Sequence, residues 1–236
     1  MESVQRLGRA ENLNFIRRAA FAGMLAPVIF VSVFSIEGWL RPGYDPASMF
    51  VSELSLGPRG WVQIVSFIVT GALVLVFTRG VRDYFVEGNA SKVGLICLNI
   101  IGGSLIASGP FVTDRAALFN QVSVHGVIHG VFGALVFSLA SVSCFVYFGR
   151  FKGDFRWRSL AIWTLLAGIF LVVGIGFLKA SQFPSGELYA WKGLIQRAIL
   201  IIFMAWLFAF AARMFRYPLP TTPDTSTDQR AAIERG

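Results

Sequence analysis

Long runs of apolar residues, separated by short polar segments, dominate the pattern along the chain. Six runs are predicted as transmembrane helices, at about residues 19–36, 61–77, 93–111, 122–148, 157–178 and 188–215. A helix needs about 20 apolar residues to cross the hydrocarbon layer of a bilayer, and these runs reach or approach that length. The sequence therefore predicts an all-α, polytopic membrane protein built as a six-transmembrane-helix bundle.

The same pattern divides the chain into three parts. Residues 1–18 are predicted to be an N-terminal tail, residues 19–215 a six-helix transmembrane domain, and residues 216–236 a C-terminal tail. The last segment is rich in Pro, Thr and charged residues, so it has little apolar surface to bury. We predict that this C-terminal tail is disordered.

Composition supports a membrane protein. The chain has 236 residues, of which 55% are hydrophobic and only 14% are charged, whereas soluble domains carry about 25% charged residues. The net charge is +8, but the basic residues lie between apolar runs and not in one patch. We therefore assign them to membrane topology and contacts with membrane lipids, and we expect no nucleic-acid partner.

The distribution of Lys and Arg predicts the orientation. Fifteen of the 21 basic residues lie in the two tails and in the second and fourth connections, against five in the first, third and fifth connections. Cytoplasmic segments carry an excess of Lys and Arg. The sequence thus predicts a multi-pass protein of the cytoplasmic (plasma) membrane, with both termini in the cytoplasm and the first, third and fifth connections outside.

The first outer connection is the longest, and it reads EGWLRPGYDPASMFVSELSLGPRG over residues 37–60. Pro42, Gly43 and Pro46 indicate turns. The following ASMFVSELSL is predicted to form a short amphipathic helix with Ser48 as its N-cap. Such a segment would lie at the membrane interface or fold back over the bundle.

The only two histidines, His125 and His129, lie four residues apart in HGVIHG. Residues at this spacing share one face of a helix. Gly126, Gly130 and Gly133 lie beside them, and small residues let membrane helices pack closely. We therefore expect this face to point into the bundle.

The predicted topology brings further polar residues to the same outer ends of the helices. The pocket candidates are Tyr44, Ser52, Glu53, Asp114, His125, His129, Gln196 and Arg197. Arg197 lies inside the sixth span, where an arginine is costly unless it is paired, and Asp114 or Glu53 is its expected partner. The sequence therefore predicts an outward-facing polar pocket under the first connection.

Three hypotheses fit this cluster. It could be a structural network that fixes helix packing, or it could bind a lipid headgroup or small molecule, including along a transport pathway. It could also be catalytic. A divalent transition metal held by His125, His129 and Asp114 is one catalytic version, although HGVIH lacks the glutamate of a zinc-protease helix. Ser52 activated by a histidine and an acid is another. Haem is not expected, because two histidines on one helical turn cannot occupy opposite axial positions.

Four segments resemble a known family. They are RPGYDPASMFVSELSLGPRGWVQ, GPFVTD, HGVIHG and GLIQR, in this order across the six spans. Together they resemble the prokaryotic membrane family called domain of unknown function 998. The resemblance runs from the first span through the sixth, and it implies a six-helix integral membrane protein without supplying an activity or substrate. The residues that match the family pattern are Tyr44, Ser52, Glu53, Asp114, His129 and Arg197, with His125 as an addition.

The favoured interpretation is an integral membrane protein of unknown activity whose outward-facing pocket binds a lipid headgroup or small molecule. Arg197 would meet an anionic group, and Glu53, Asp114 and His129 would arrange hydrogen bonds around it. A membrane-embedded hydrolase, with or without a metal, and a structural scaffold are the alternatives.

Overall fold

The computed structural model describes residues 2–85, 89–115 and 123–217, with side chains from residue 11 and, after the first gap, from residue 92. Six α-helices account for most of these residues: α1 Glu2–Leu40, α2 Gly60–Tyr84, α3 Asn89–Ala107, α4 Val124–Phe151, α5 Arg158–Ala180 and α6 Lys192–Arg216. Two short 3-10 helices, Val51–Ser55 and Glu187–Trp191, lie in the connections. The described ranges contain no β-strand, which confirms the all-α prediction.

The helices have the length and composition of membrane spans. Five of them are long and apolar enough to cross a bilayer, and α3, with described side chains over Lys92–Ala107, is a shorter apolar helix. At about 1.5 Å per residue, the 19 residues of α3 reach roughly 28 Å, close to the roughly 30 Å of a hydrocarbon core. The chain is a polytopic membrane protein.

The helices form a closed ring. Each packs against the next along the chain, and α6 returns to pack against α1. The last turns of α1, α3 and α5 therefore share one end of the bundle, which we call the long-loop end. The start of α1 and the end of α6 share the other, which we call the termini end. Hydrogen bonds agree with this assignment, because the Arg213 guanidinium near the end of α6 donates to the Arg156 carbonyl in the α4–α5 connection over 2.7 Å.

The ring is tightly filled at its termini end. Phe151 and Trp157 stack with their ring centroids 4.6 Å apart, and Trp157 is fully buried. Aromatic rings around them complete the cluster: Tyr84, Phe85, Tyr147, Trp206 and Phe210. Because this half is packed solid by large side chains, any cavity within the ring has to lie toward the long-loop end.

Helix α1 begins earlier than the predicted span. Residues 2–18, predicted as a tail, form the first turns of α1, and Ile16 and Ala19 are buried. No Pro or Gly interrupts residues 9–20, so nothing ends the helix at the predicted boundary. At the other terminus α6 ends at Arg216, and the predicted disordered tail lies almost entirely outside the described residues.

Candidate functional site

The long loop, residues 41–59, folds back into the mouth of the ring. All five residues of its 3-10 helix, Val51–Ser55, are buried. Glu53 closes the first turn, because its Oε1 accepts a hydrogen bond from the Phe50 backbone N–H over 2.9 Å. The helix is thus shorter than predicted and is not capped by Ser48, whose hydroxyl instead donates to Asp45.

The start of α6 holds this loop in place. The backbone N–H groups of Gly193 and Leu194 both donate to the Ala47 carbonyl, over 2.8 and 3.1 Å. A Cβ at Gly193 would lie 2.5 Å from the Pro46 carbonyl oxygen, so only glycine permits this approach. Gln196 adds a contact one turn later, since its Oε1 accepts from the Val51 N–H over 2.7 Å.

Arg197 is bound by the loop and not by a carboxylate. Its Nη1 donates to the carbonyls of Pro46, Met49 and Gly193 over 2.8, 2.9 and 3.1 Å, and its Nη2 donates to the Tyr44 hydroxyl. Among the described residues no carboxylate lies within 4.0 Å of Arg197. The predicted pairing with Asp114 or Glu53 is therefore wrong, because the loop backbone already supplies the acceptors that a buried guanidinium needs.

Tyr44 is the side chain of the long loop that Arg197 contacts. Its hydroxyl accepts from Arg197 and donates to the Phe50 carbonyl over 2.9 Å. Burial raises the pKa of the Tyr44 phenol, although the Arg197 guanidinium opposes the shift. The phenol is accordingly neutral at physiological pH and can act as both acceptor and donor.

A central cavity of about 270 Å³ lies beneath the 3-10 helix. All six helices and the long loop contribute to its wall. Its polar lining consists of Ser52, Ser108, Thr113, His129, Ser138, Lys179, Gln182 and Gln196. Its apolar lining includes Phe30, Phe67, Leu105, Val136, Phe137, Ile175 and Leu200. The cavity therefore combines an apolar interior with hydrogen-bonding groups.

This cavity opens sideways between α4 and α5. Gly130, Ala134 and Ser138 line it and are exposed, as is Lys179 on α5. Along α4, the distance from Val124 to Ser138 is about 21 Å at 1.5 Å per residue. The opening therefore extends from the long-loop end into the depth of the bilayer, where lipid chains could reach it.

Two glycines of α4, Gly130 and Gly133, border this opening. A Cβ at Gly130 or Gly133 would meet no atom within 4 Å. The predicted close helix packing at these two positions is therefore wrong. Gly126 alone of the three is closely packed, against the Asp114 carboxylate.

His129 lines the cavity and is 8% exposed. Its Nδ1 lies 2.7 Å from the Phe111 carbonyl oxygen. Because a carbonyl only accepts hydrogen bonds, Nδ1 carries the proton and donates, which leaves Nε2 of the neutral ring as an acceptor. The Phe67 ring and the imidazole pack in a T-shaped arrangement, with ring centroids 5.9 Å apart. The ring is thus fixed in one orientation before any ligand binds.

A family model described as protein of unknown function (DUF998) matches residues 24–213. The chain belongs to this family. The match covers the long loop and reaches from α1 to α6, which confirms the resemblance seen in the sequence. Searches of curated proteins and of solved structures found no match.

In this DUF998 protein the predicted pocket residues separate into groups. Ser52, His129 and Gln196 line the central cavity. Tyr44 and Glu53 line a second cavity on the surface of the long-loop end. Three predicted residues line neither cavity: Asp114, His125 and Arg197, the last of which lies among the loop carbonyls.

Asp114 and His125 have local partners. The Asp114 carboxylate accepts from the Ser123 N–H over 2.8 Å, and Ser123 caps the start of α4 by accepting from the Gly126 N–H. His125 is exposed beside the Phe111 ring. The described part of this DUF998 chain contains no group of three or more His, Cys, Asp or Glu residues that could hold a metal ion. The predicted three-ligand group is therefore not assembled.

The predicted serine-based arrangement is incomplete as well. Ser52 and His129 share the central cavity, but His129 donates to a carbonyl and not to a carboxylate. Ser108, Thr113, Lys179 and Gln182 were absent from the predicted site. Lys179 and Gln182 follow an apolar run directly, so in the sequence they are indistinguishable from ordinary flanking residues.

Proposed function

We propose that this DUF998 protein binds an amphipathic, lipid-like molecule in the central cavity. One observation carries the proposal: the cavity has apolar walls and polar side chains, and it opens sideways between α4 and α5 at membrane depth. Ligand sites in proteins are mostly apolar, with a few placed polar groups that orient the ligand. A molecule with a polar head and an apolar chain matches this combination.

The lining residues suggest how such a molecule would lie. Ser52, His129 and Gln196 lie near the long-loop end and would hydrogen-bond the head, with Lys179 favouring an anionic one. Ile175 and Leu200 lie deeper along their helices and would contact the apolar chain.

The volume limits the size of the ligand. At about 270 Å³, the central cavity is slightly smaller than the roughly 300–1,000 Å³ found for ligand pockets. A headgroup with part of one chain fits that volume better than a whole diacyl lipid does. The remainder of a longer ligand would extend through the opening into the bilayer.

The orientation is also part of the proposal. The excess of Lys and Arg at the termini end supports a cytoplasmic location for both termini in the plasma membrane. The long-loop end would then face outward, and the ligand would come from the outer leaflet. In this arrangement Arg197 does not meet the headgroup. It holds the long loop over the cavity instead.

A membrane-embedded hydrolase is the second candidate, because Ser52 and His129 line one cavity. Catalysis would require the Ser52 hydroxyl to donate to Nε2 of His129, the nitrogen that is left as an acceptor. In that case Ser52→Ala would abolish cleavage and allow an uncleaved ligand to accumulate. A ligand that the unmodified protein binds and never cleaves would exclude the hydrolase.

The proposal is tested by filling the cavity. Gly133 and Gly149 both lie on α4, and neither has an atom within 4 Å of a Cβ placed there, but only Gly133 lines the cavity. Gly133→Leu should therefore exclude the ligand, and Gly149→Leu is the matched control. Native mass spectrometry of detergent-purified protein should show one bound molecule in the unmodified protein and the control, and none in Gly133→Leu. Identical bound masses in all three would reject the proposal and favour a scaffold.

A further inference from the structure

A second cavity, which we call the loop basin, lies on the surface of the long-loop end. Its volume is about 700 Å³, and it shares no lining residue with the central cavity. The long loop forms most of its wall, and Arg115, Tyr189 and Lys192 complete it. The two cavities meet opposite sides of the 3-10 helix, since Ser52 lines one and Glu53 the other.

Basic side chains are in excess around the loop basin. Four cations line it: Arg41, Arg59, Arg115 and Lys192. Glu53 is the one carboxylate among its described lining residues. A second carboxylate, Glu37, contacts Arg59 over 2.5 Å from below. A third, Asp45, accepts a hydrogen bond from the lining Ser48 hydroxyl. The four lining cations still outnumber the carboxylates, so the loop basin carries a net positive charge.

Lys192 is the most informative of these cations. It is only 5% exposed, and its Nζ lies 3.5 Å from the centroid of the Tyr189 ring. Within the described part of the chain, no carboxylate lies within 4.0 Å of this ammonium group. The Tyr189 ring is a cation–π partner for this ammonium group, which is not among the buried side-chain groups that lack a hydrogen bond. An anion in the loop basin would add the counter-charge that the ring does not supply.

Arg41 offers a second free donor. Its Nη1 is occupied, because it donates to the Leu56 carbonyl over 2.9 Å. Its Nη2 is buried and has no hydrogen-bond acceptor among the described residues. The nearest Glu37 oxygen lies 3.9 Å away, which is too far for a hydrogen bond, and that carboxylate is already engaged by Arg59.

We propose that the loop basin binds the phosphate group of a phosphate monoester. Such a group carries about −1.5 to −2 charges at pH 7, and it would be attracted by the net positive charge of the basin. Its oxygens suit the donors of a guanidinium and an ammonium group. Met49, Leu56 and Tyr189 also line the basin, and they provide apolar surface for the organic part of the ester.

The ester could belong to a lipid or be free in solution, and the test separates the two. Binding of 1,2-dihexanoyl phosphatidic acid and of glycerol 3-phosphate is measured by isothermal titration calorimetry on the full chain in dodecyl maltoside. The variants are Lys192→Gln and Arg115→Gln. Arg115 is exposed, so its replacement does not threaten the fold. Arg158→Gln is the matched control, because Arg158 is exposed at the termini end.

We expect one equivalent of a phosphate monoester to bind, with an affinity at least about tenfold weaker in Lys192→Gln and in Arg115→Gln and unchanged in Arg158→Gln. Binding of the lipid alone identifies a lipid headgroup, and equal binding of glycerol 3-phosphate identifies a soluble ester. Gly133→Leu should bind as the unmodified protein does, so this site and the central cavity can fail separately. No saturable binding of either ester, or an affinity in both basin variants that is unchanged from that of the unmodified protein, would overturn the proposal.

Discussion

The guanidinium of Arg197 on α6 donates to the phenolic oxygen of Tyr44 in the long loop, across 153 positions of sequence. The same guanidinium also binds the carbonyls of Pro46 and Met49. One side chain of the ring thus organises a whole turn of the loop that covers the central cavity. Arg197 therefore acts on the site through the position of the loop.

The first prediction concerns the hydrogen bonds between Arg197 and the long loop. Arg197→Lys keeps the charge but loses the planar fork that reaches several acceptors at once. We expect a loss of about 2 kcal/mol of stability, and a loss of about 1 kcal/mol in Tyr44→Phe. Thermal unfolding in detergent measures both. Arg216→Lys, at the exposed end of α6, is the control and should be nearly neutral. Equal losses in Arg197→Lys and in the control would show that the hydrogen bonds between Arg197 and the long loop do not stabilise the fold.

The second prediction concerns Gly193. Its Cβ would meet backbone carbonyls, including that of Ala47 at 2.8 Å, and backbone atoms cannot move aside as a flexible side chain would. Gly193→Ala should therefore displace the long loop and lower the unfolding temperature. Gly176→Ala on α5 is the control, because no atom lies within 4 Å of its Cβ position. Protease cleavage within residues 41–59 should become faster in Gly193→Ala only. Equal cleavage rates would show that the loop tolerates the change.

The sequence predicted the helices and the end of the bundle at which polar residues gather. Apolar runs were sufficient for the helices, because their length follows from the thickness of the bilayer. The alternating direction of successive spans then brings the first, third and fifth connections to one end. The partner of Arg197 could not be predicted in the same way. Its acceptors are backbone carbonyls of a loop, and any residue type can supply a carbonyl.

The packing around the glycines of α4 could not be predicted from the sequence either. Gly126, Gly130 and Gly133 have a spacing that fits close helix packing. Only Gly126 is packed, and the other two border an opening. A missing side chain allows either a close contact or a gap. Which of the two occurs depends on the position of α5 relative to α4. Sequence spacing alone carries no information on that placement.

The third prediction compares the two histidines. His129→Ala should cost about 1–2 kcal/mol of stability, because it leaves the part-buried Phe111 carbonyl without its donor, and it should weaken ligand binding in the central cavity. His125 is exposed, so His125→Ala should change stability by no more than about 0.5 kcal/mol. Elemental analysis of the three proteins tests the metal hypothesis directly. About one equivalent of a transition metal, lost in both variants, would show that both histidines are metal ligands.

The fourth prediction concerns pH and the connection between α4 and α5. The Arg156 guanidinium, whose Nη2 donates to Asp154 Oδ2 over 2.8 Å, holds the pKa of the Asp154 carboxyl below its usual range. A lowered pKa in the folded state means that the ionised form favours folding. This contribution is complete above the unfolded-state pKa, about 3.9, and it is lost as the pH falls through the lower folded-state value.

Asp154→Asn removes this contribution at every pH. The difference in unfolding temperature between the unmodified protein and Asp154→Asn should therefore stay constant from pH 7 to about pH 5 and shrink below about pH 4. Arg156→Gln should give the same profile, since it removes the other half of the pair. The pair also positions the Arg156 carbonyl that accepts from Arg213, so Arg213→Gln should lower stability by a pH-independent amount. A difference between the unmodified protein and Asp154→Asn that did not change with pH would contradict the assignment.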